Sequence, residues 1–210
     1  MIRKSDDYIQ LPNRSSHNCF GCSPANTSGL RMTFYTNEAA VYSKITVPDH
    51  LCGWNNLVHG GVLTTIMDEI MSWAAIYLLK RVAMTKSISV DFLKPVYVGN
   101  PLKAAGTVLE NKGKHEALME GCIYNKDEVC CAKASGTFAV FSPAVAKRLS
   151  ITDSESLKWF ERIFDLKYST WSHVDFRFWN LDFGLKELER NFADGQCVLK
   201  SKIRIPKSKL

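Results

Sequence analysis

The segment "LVHGGVLTTIMDEIMSWAAIYLLK", Leu57 to Lys80, decides the fold. Val62, Ile66, Ile70 and Trp73 recur at steps of three and four residues, the period of an α-helix, and the Gly60-Gly61 pair stands at its start. Small and apolar side chains fill nearly all the remaining circumference, so this helix is expected to be buried on almost every side. The exception is a carboxylate pair, Asp68 and Glu69, with Asp68 nine residues after His59. In a helix that begins near Gly60, nine residues correspond to about 13 Å of rise and two and a half turns, which sets His59 and Asp68 far apart on opposite faces. One subunit cannot gather both into one site. Two such helices packed antiparallel about a two-fold axis can, and they make two equivalent sites. The sequence therefore predicts an obligate homodimer with a composite site; whether dimers pair again into a homotetramer stays open.

The flanking segments have the period of strands. "LRMTFYT" (30–36) and "AAVYSKITV" (39–47) alternate apolar and polar residues and meet at "NEA", a hairpin signal. After the helix, "TKSISVDFLKPVYVG" (85–99) alternates again. "PLKAAGTVLENKG" (101–113) and "KHEALMEGCIYNKDE" (114–128) form the arms of a hairpin around Asn111 to Lys114, and "VCCAKASGTFAVF" (129–141) closes the run. Two strands, one long helix and four strands predict an α+β domain whose curved antiparallel sheet wraps the helix. Its bounds are residues 31–142, behind an N-terminal arm and Cys-rich loop (1–30) and before a C-terminal extension (143–210).

Composition limits the function. With 210 residues and 46% hydrophobic content, the chain is long enough for one ordinary domain plus an extension. The apolar run Ile70–Leu79, broken by Ser72, falls short of the roughly 20 residues of a membrane span, and the first 16 residues have no apolar stretch suited to a secretory signal. No membrane partner is expected, and the default location is the cytoplasm. Seven cysteines at unrelated spacings suit reduced thiols rather than a disulfide framework. The net charge of +6 gathers partly in the tail "LKSKIRIPKSKL". No aromatic residues interleave with those lysines as a single-strand platform requires, so nucleic acid is not an expected partner. The field still favours polyanionic small molecules, coenzyme A among them.

Three blocks carry a resemblance: "CFGCSPANTSGLRMTF", "GWNNLVHGGVLTTIMDEIMSWAA" and "MTKSISVDFLKPVYVG". In this order, over residues 17–141, the chain resembles the hotdog-fold acyl-CoA thioesterases of the PaaI-like group. The most specific element is His-Gly-Gly followed at the ninth position by Asp. The resemblance implies hydrolysis of an acyl-CoA thioester without a cofactor, at a site shared across the dimer, with Asp68 as base or nucleophile. It also implies that His59 holds the thioester through a ring N–H, that Thr85 orients the water, and that Asn55 or Asn56 adds a polar contact. Some hotdog enzymes use a glutamate, which keeps Glu69 in play as the acting carboxylate.

The chemistry suits these residue types. A developing oxyanion is stabilised by backbone N–H groups at a helix N-terminus, and glycine at positions 60 and 61 lets a carbonyl approach those amides closely. A carboxylate at a partly desolvated interface is a reasonable base or nucleophile. Alternatives stay open: a non-catalytic acyl-CoA or ligand-binding protein of the same fold, or a dehydratase with a differently arranged His and acid. The acyl group is not legible, since Trp54, Met71 and Trp73 suit aromatic and aliphatic pockets alike.

"HNCFGC" offers His17, Cys19 and Cys22 as soft ligands. A tetrahedral zinc site needs a fourth, and Cys130 and Cys131, adjacent in an alternating strand, are expected to face opposite sides. The reading is therefore a metal-free loop at the substrate entrance, followed by a turn at "SPANTSG". Beyond Pro143, "PAVAKRL" and "SESLKWFERIFDLKY" have helical spacing with Trp159, Phe160 and Phe164 on an apolar face, while "SHVDFRFWNLDFG" and "CVLKSKIRIP" have the pattern of strands. Covering a sheet face, shielding an acyl tunnel and mediating assembly are equally compatible roles for this extension.

Overall fold

A computed structural model describes residues 8–166. The two strands expected at 172–184 and 197–206, and the basic tail, lie outside the described residues. The elements in order are β1 (Ile9–Gln10), β2 (Tyr35–Thr36), β3 (Val41–Thr46), α1 (Gly60–Leu79), β4 (Val82–Phe92), β5 (Pro101–Asn111), β6 (Glu116–Tyr124), β7 (Cys130–Phe141), α2 (Pro143–Arg148) and α3 (Ser154–Phe164). The strands make one sheet in the order β1-β2-β3-β5-β6-β7-β4, every neighbouring pair antiparallel. This is the expected α+β hotdog architecture, one long helix held in the curve of a sheet. The first hairpin arm is shorter than its alternation predicted, and β1 adds a strand from the N-terminal arm that the sequence pattern did not show.

The helix is fixed at both ends by local chemistry. His59 caps its start in extended backbone, accepting at Nδ1 from the Gly61 amide, and Lys80 ends it in the left-handed region at φ 53°. Ile66, Met67, Ile70, Met71, Ala74 and Ala75 are fully buried against the sheet. Contact with β5 is close because position 106 is glycine: a Cβ there would stand 2.5 Å from the Ile70 carbonyl oxygen. The helix is not covered all round as its apolar content predicted. Thr65, Asp68 and Ser72, three and four residues apart along one face with exposed Gly61 four residues before Thr65, are only partly covered in the single chain.

That partly open stripe adjoins the sheet's long edge. β4 is an end strand of 11 residues, and Met84 and Phe92 on it are 49% and 55% exposed. Natural sheets blunt or cover such edges, because the unpaired N–H and C=O groups are a template for another strand.

The extension continues the core. Trp159 of α3 meets Trp73 edge-on at 5.3 Å, and Trp73 stacks on Phe34 at 4.2 Å. The Trp159 indole N–H donates to the Pro12 carbonyl at 3.1 Å, and Lys80 donates to the Ile163 carbonyl at 3.3 Å. α3 therefore fastens the N-terminal arm to the end of α1. By length and composition α1 does pass for a membrane-crossing helix, unlike the interrupted run read from sequence, yet 61% of its most apolar window is buried inside this fold.

Candidate functional site

Asp68 and Thr85 meet on the open face. The Thr85 hydroxyl donates to Asp68 Oδ1 at 2.6 Å. The two residues come from α1 and β4, and the strand is irregular at this point: its pairing with β7 slips between Thr85 and Ser87. A bulge re-aims side chains locally and is common beside functional sites. Here the slip leaves Thr85 facing α1 while Ile88 and Val90, of opposite parity, still pack on the core.

At the other end of the same helix, His59 Nδ1 accepts from the Gly61 N–H at 3.0 Å. This bond fixes the neutral ring as the tautomer with its proton on Nε2, an inference from the hydrogen-bond pattern. It also changes the expected oxyanion site. Of the two glycine amides, Gly61 is occupied by the histidine, whereas the Gly60 amide makes no backbone hydrogen bond among the described residues. One free amide and one imidazole N–H are thus available, rather than two free amides. A Cβ at Gly60 would touch the Phe92 ring at 3.4 Å, so β4 supplies an apolar wall beside that amide. His59 and Asp68 do stand at opposite ends of a 20-residue helix's first half, about 13 Å apart along the axis.

The structure does not bring Asn55 and Asn56 onto this pair. Both are exposed and line a separate groove of about 540 Å³ with Asp49, Cys52, Tyr97 and Asn100. Of the three residues suggested for an acyl pocket, Met71 and Trp73 are core residues at 0% and 3% exposure, and only Trp54, at 86%, faces outward. Apolar type alone did not separate core from pocket. The wall residue that the sequence reading missed is Phe92, whose signal was its place at the end of the alternating β4 pattern.

Glu69, one position on, turns away from the open face into the Cys-rich loop. Cys19 Sγ is hydrogen-bonded to Glu69 Oε1 at 3.2 Å. Burial, reinforced by the nearby Cys19 charge, pushes the Glu69 carboxyl up to about 8. The Cys22 thiol, donating to the Cys19 sulfur, holds Cys19 down to about 4, while the same bond and burial push Cys22 up. A largely protonated, enclosed carboxyl is a poor base at neutral pH, so the geometry favours Asp68 over Glu69 as the carboxylate that meets a substrate. His17 is engaged through both ring nitrogens, with Asn13 Oδ1 at 3.2 Å and the Cys19 N–H at 3.3 Å. Cys131 packs in the main core and Cys130 against the cluster around Tyr8 and Tyr42, on opposite sides as expected.

Comparison with known proteins supports the fold. Residues 55–132 match the model of the thioesterase superfamily. An uncharacterized protein of Schizosaccharomyces pombe is 27% identical over 93 residues, 42% of this chain and 53% of that protein. A protein of Saccharolobus solfataricus, provisionally named an esterase, is 29% identical over 99 residues, 47% of this chain and 65% of that protein. The matches thus span about half to two thirds of the length of these relatives. A solved thioesterase superfamily protein shares the fold at 22% identity and a TM-score of 0.52, covering 55% of this chain and 60% of that one. Residues 55–132 are thus similar to the thioesterase superfamily, and the chain has the hotdog fold.

Proposed function

We propose that this chain is an acyl-CoA thioesterase whose active site is shared by two subunits. The observation that carries the reading is the Thr85-held Asp68 on the open stripe of α1, beside an 11-residue edge strand paired on one side only. Pairing β4 with its two-fold copy continues the sheet and lays one α1 along another. Asp68 then faces the helix N-terminus of the mate, where the His59 Nε2–H and the Gly60 amide point outward.

In this arrangement Asp68 takes a proton from a water aligned by Thr85, and the hydroxide adds to the thioester carbonyl carbon. The partner's Gly60 amide and His59 N–H receive the oxyanion. Collapse of the tetrahedral intermediate breaks the C–S bond, and the departing CoA thiolate recovers the proton. The net charge of +6 favours a substrate that carries phosphates. The six described cysteines are all free thiols, which suits the cytoplasm as the place of action.

The test is to incubate purified protein with aryl, short-chain and long-chain acyl-CoAs and follow free thiol. Release that depends on Asp68 supports hydrolysis. Saturable acyl-CoA binding without thiol release would replace it with the ligand-binding alternative, and hydration of an enoyl-CoA with the dehydratase.

A further inference from the structure

We propose that Cys19, Cys22 and Glu69 form a binding site for one soft divalent cation of the zinc class, which clamps the N-terminal loop to α1 directly beside Asp68. The two sulfurs and a Glu69 carboxylate oxygen lie within 4.8 Å of one another. They come from segments about 50 residues apart and converge although none is an opposite charge to another. Glu69 has Cys19, Cys22 and Asp68 as its ionisable neighbours, and no Lys, Arg or His forms an ion pair with it among the described residues. Three groups that become anionic on deprotonation, gathered without a basic partner, are resolved by a cation.

The local geometry is that of a ligand loop. Cys-x2-Cys is the spacing of zinc ligands. Position 21 must be glycine for the third ligand to arrive, since a Cβ there would sit on the Glu69 side chain, 2.5 Å from Oε1. Zinc–sulfur bonds of about 2.3 Å and zinc–oxygen bonds of about 2.1 Å set tetrahedral ligand separations at roughly 3.5 to 3.8 Å. The 4.8 Å triangle closes onto an ion with shifts of about 1 Å or less. Cys19 is half-exposed and leaves an approach for the ion and a fourth ligand from water, whereas Cys22 is buried. Loading displaces the protons held by the three groups, leaving two thiolates and a carboxylate on the cation. Neither His17 nor the Cys130-Cys131 pair takes part: the first is held by Asn13, and the second lies in β7.

The experiment uses the full chain, reduced and stripped with chelator under anaerobic conditions. One equivalent of cobalt(II) should produce near-ultraviolet thiolate charge-transfer absorption and the intense visible bands of a tetrahedral ion, both lost on adding one equivalent of zinc. Alkylation mapped by mass should show Cys19 and Cys22 protected by zinc, with half-exposed Cys130 labelled equally with and without it. Glu69→Gln should keep the charge-transfer band and weaken affinity on the order of 10- to 100-fold, and Cys22→Ser should roughly halve the band. Stoichiometric cobalt with no thiolate absorption, no uptake at all, or full alkylation of Cys19 and Cys22 at saturating zinc would overturn the proposal. The labelling and cobalt readouts on the wild-type chain decide the matter even where a variant fails to fold.

Discussion

The Thr85 hydroxyl and the Asp68 carboxylate are tied by a 2.6 Å hydrogen bond that joins the edge strand to the central helix. It leaves Oδ2 and the second lone pair of Oδ1 to face a reacting water. Asp68→Asn keeps the shape and removes the basicity, so turnover should fall by roughly 10²- to 10⁴-fold while acyl-CoA binding survives. Thr85→Val keeps the branched side chain but drops the donor. With the carboxylate no longer held, kcat should fall on the order of 10- to 100-fold and KM should change little. Steady-state kinetics on both variants check this, and an Asp68→Asn enzyme with near-normal kcat would end Asp68's role as base.

Glu69 supplies the contrast. Its carboxyl is enclosed by the Cys19 to Cys22 loop and held protonated up to about pH 8, and glutamine is the neutral side chain closest to that state in shape. Glu69→Gln should therefore keep turnover within about tenfold of wild type. If Glu69→Gln abolishes thiol release and Asp68→Asn does not, the two adjacent carboxylates have exchanged roles.

The period of the hydrophobic residues made α1 and β3 to β7 legible, the helix by its steps of three and four and the strands by their alternation. The start at Gly60 and the hairpin between β5 and β6 followed from local chemistry alone. What periodicity does not encode is which buried position faces a substrate. Met71 and Trp73 had the residue types of a pocket and proved to be core, while Asn55 and Asn56 had the types of a site and line another groove. The meeting of Glu69 with Cys19 depends on a loop crossing that no local pattern specifies, although the glycine between the two cysteines is what permits it. β1, two residues long, is set by its pairing partner and not by its own sequence.

Trp159 should be a stability residue. It lies edge-on to Trp73, donates its indole N–H to Pro12 and has the Arg14 guanidinium 5.9 Å from its ring. Because the side chain is half-buried, Trp159→Ala should cost about 3 kcal/mol, the low end for a large aromatic truncation. Trp159→Phe, which loses mainly the hydrogen bond, should cost about 1 kcal/mol. Denaturant midpoints measure both. Equal, negligible losses would show that α3 does not fasten the N-terminal arm to α1.

The sharing of the site between subunits is open to a complementation test. His59 heads α1 and Asp68 lies nine residues along it, on the far side, so a composite site takes one residue from each chain. A His59→Ala homodimer and an Asp68→Asn homodimer each have two damaged sites. A heterodimer of the two variants has one site with both defects and one with neither. Mixing the inactive parents under conditions that allow subunit exchange should recover activity, approaching half the wild-type value for purified heterodimer. Native mass spectrometry confirms that exchange has occurred. A folded heterodimer as inactive as its parents would mean that both residues act within one chain or that one of them is dispensable, and either result removes the two-subunit site.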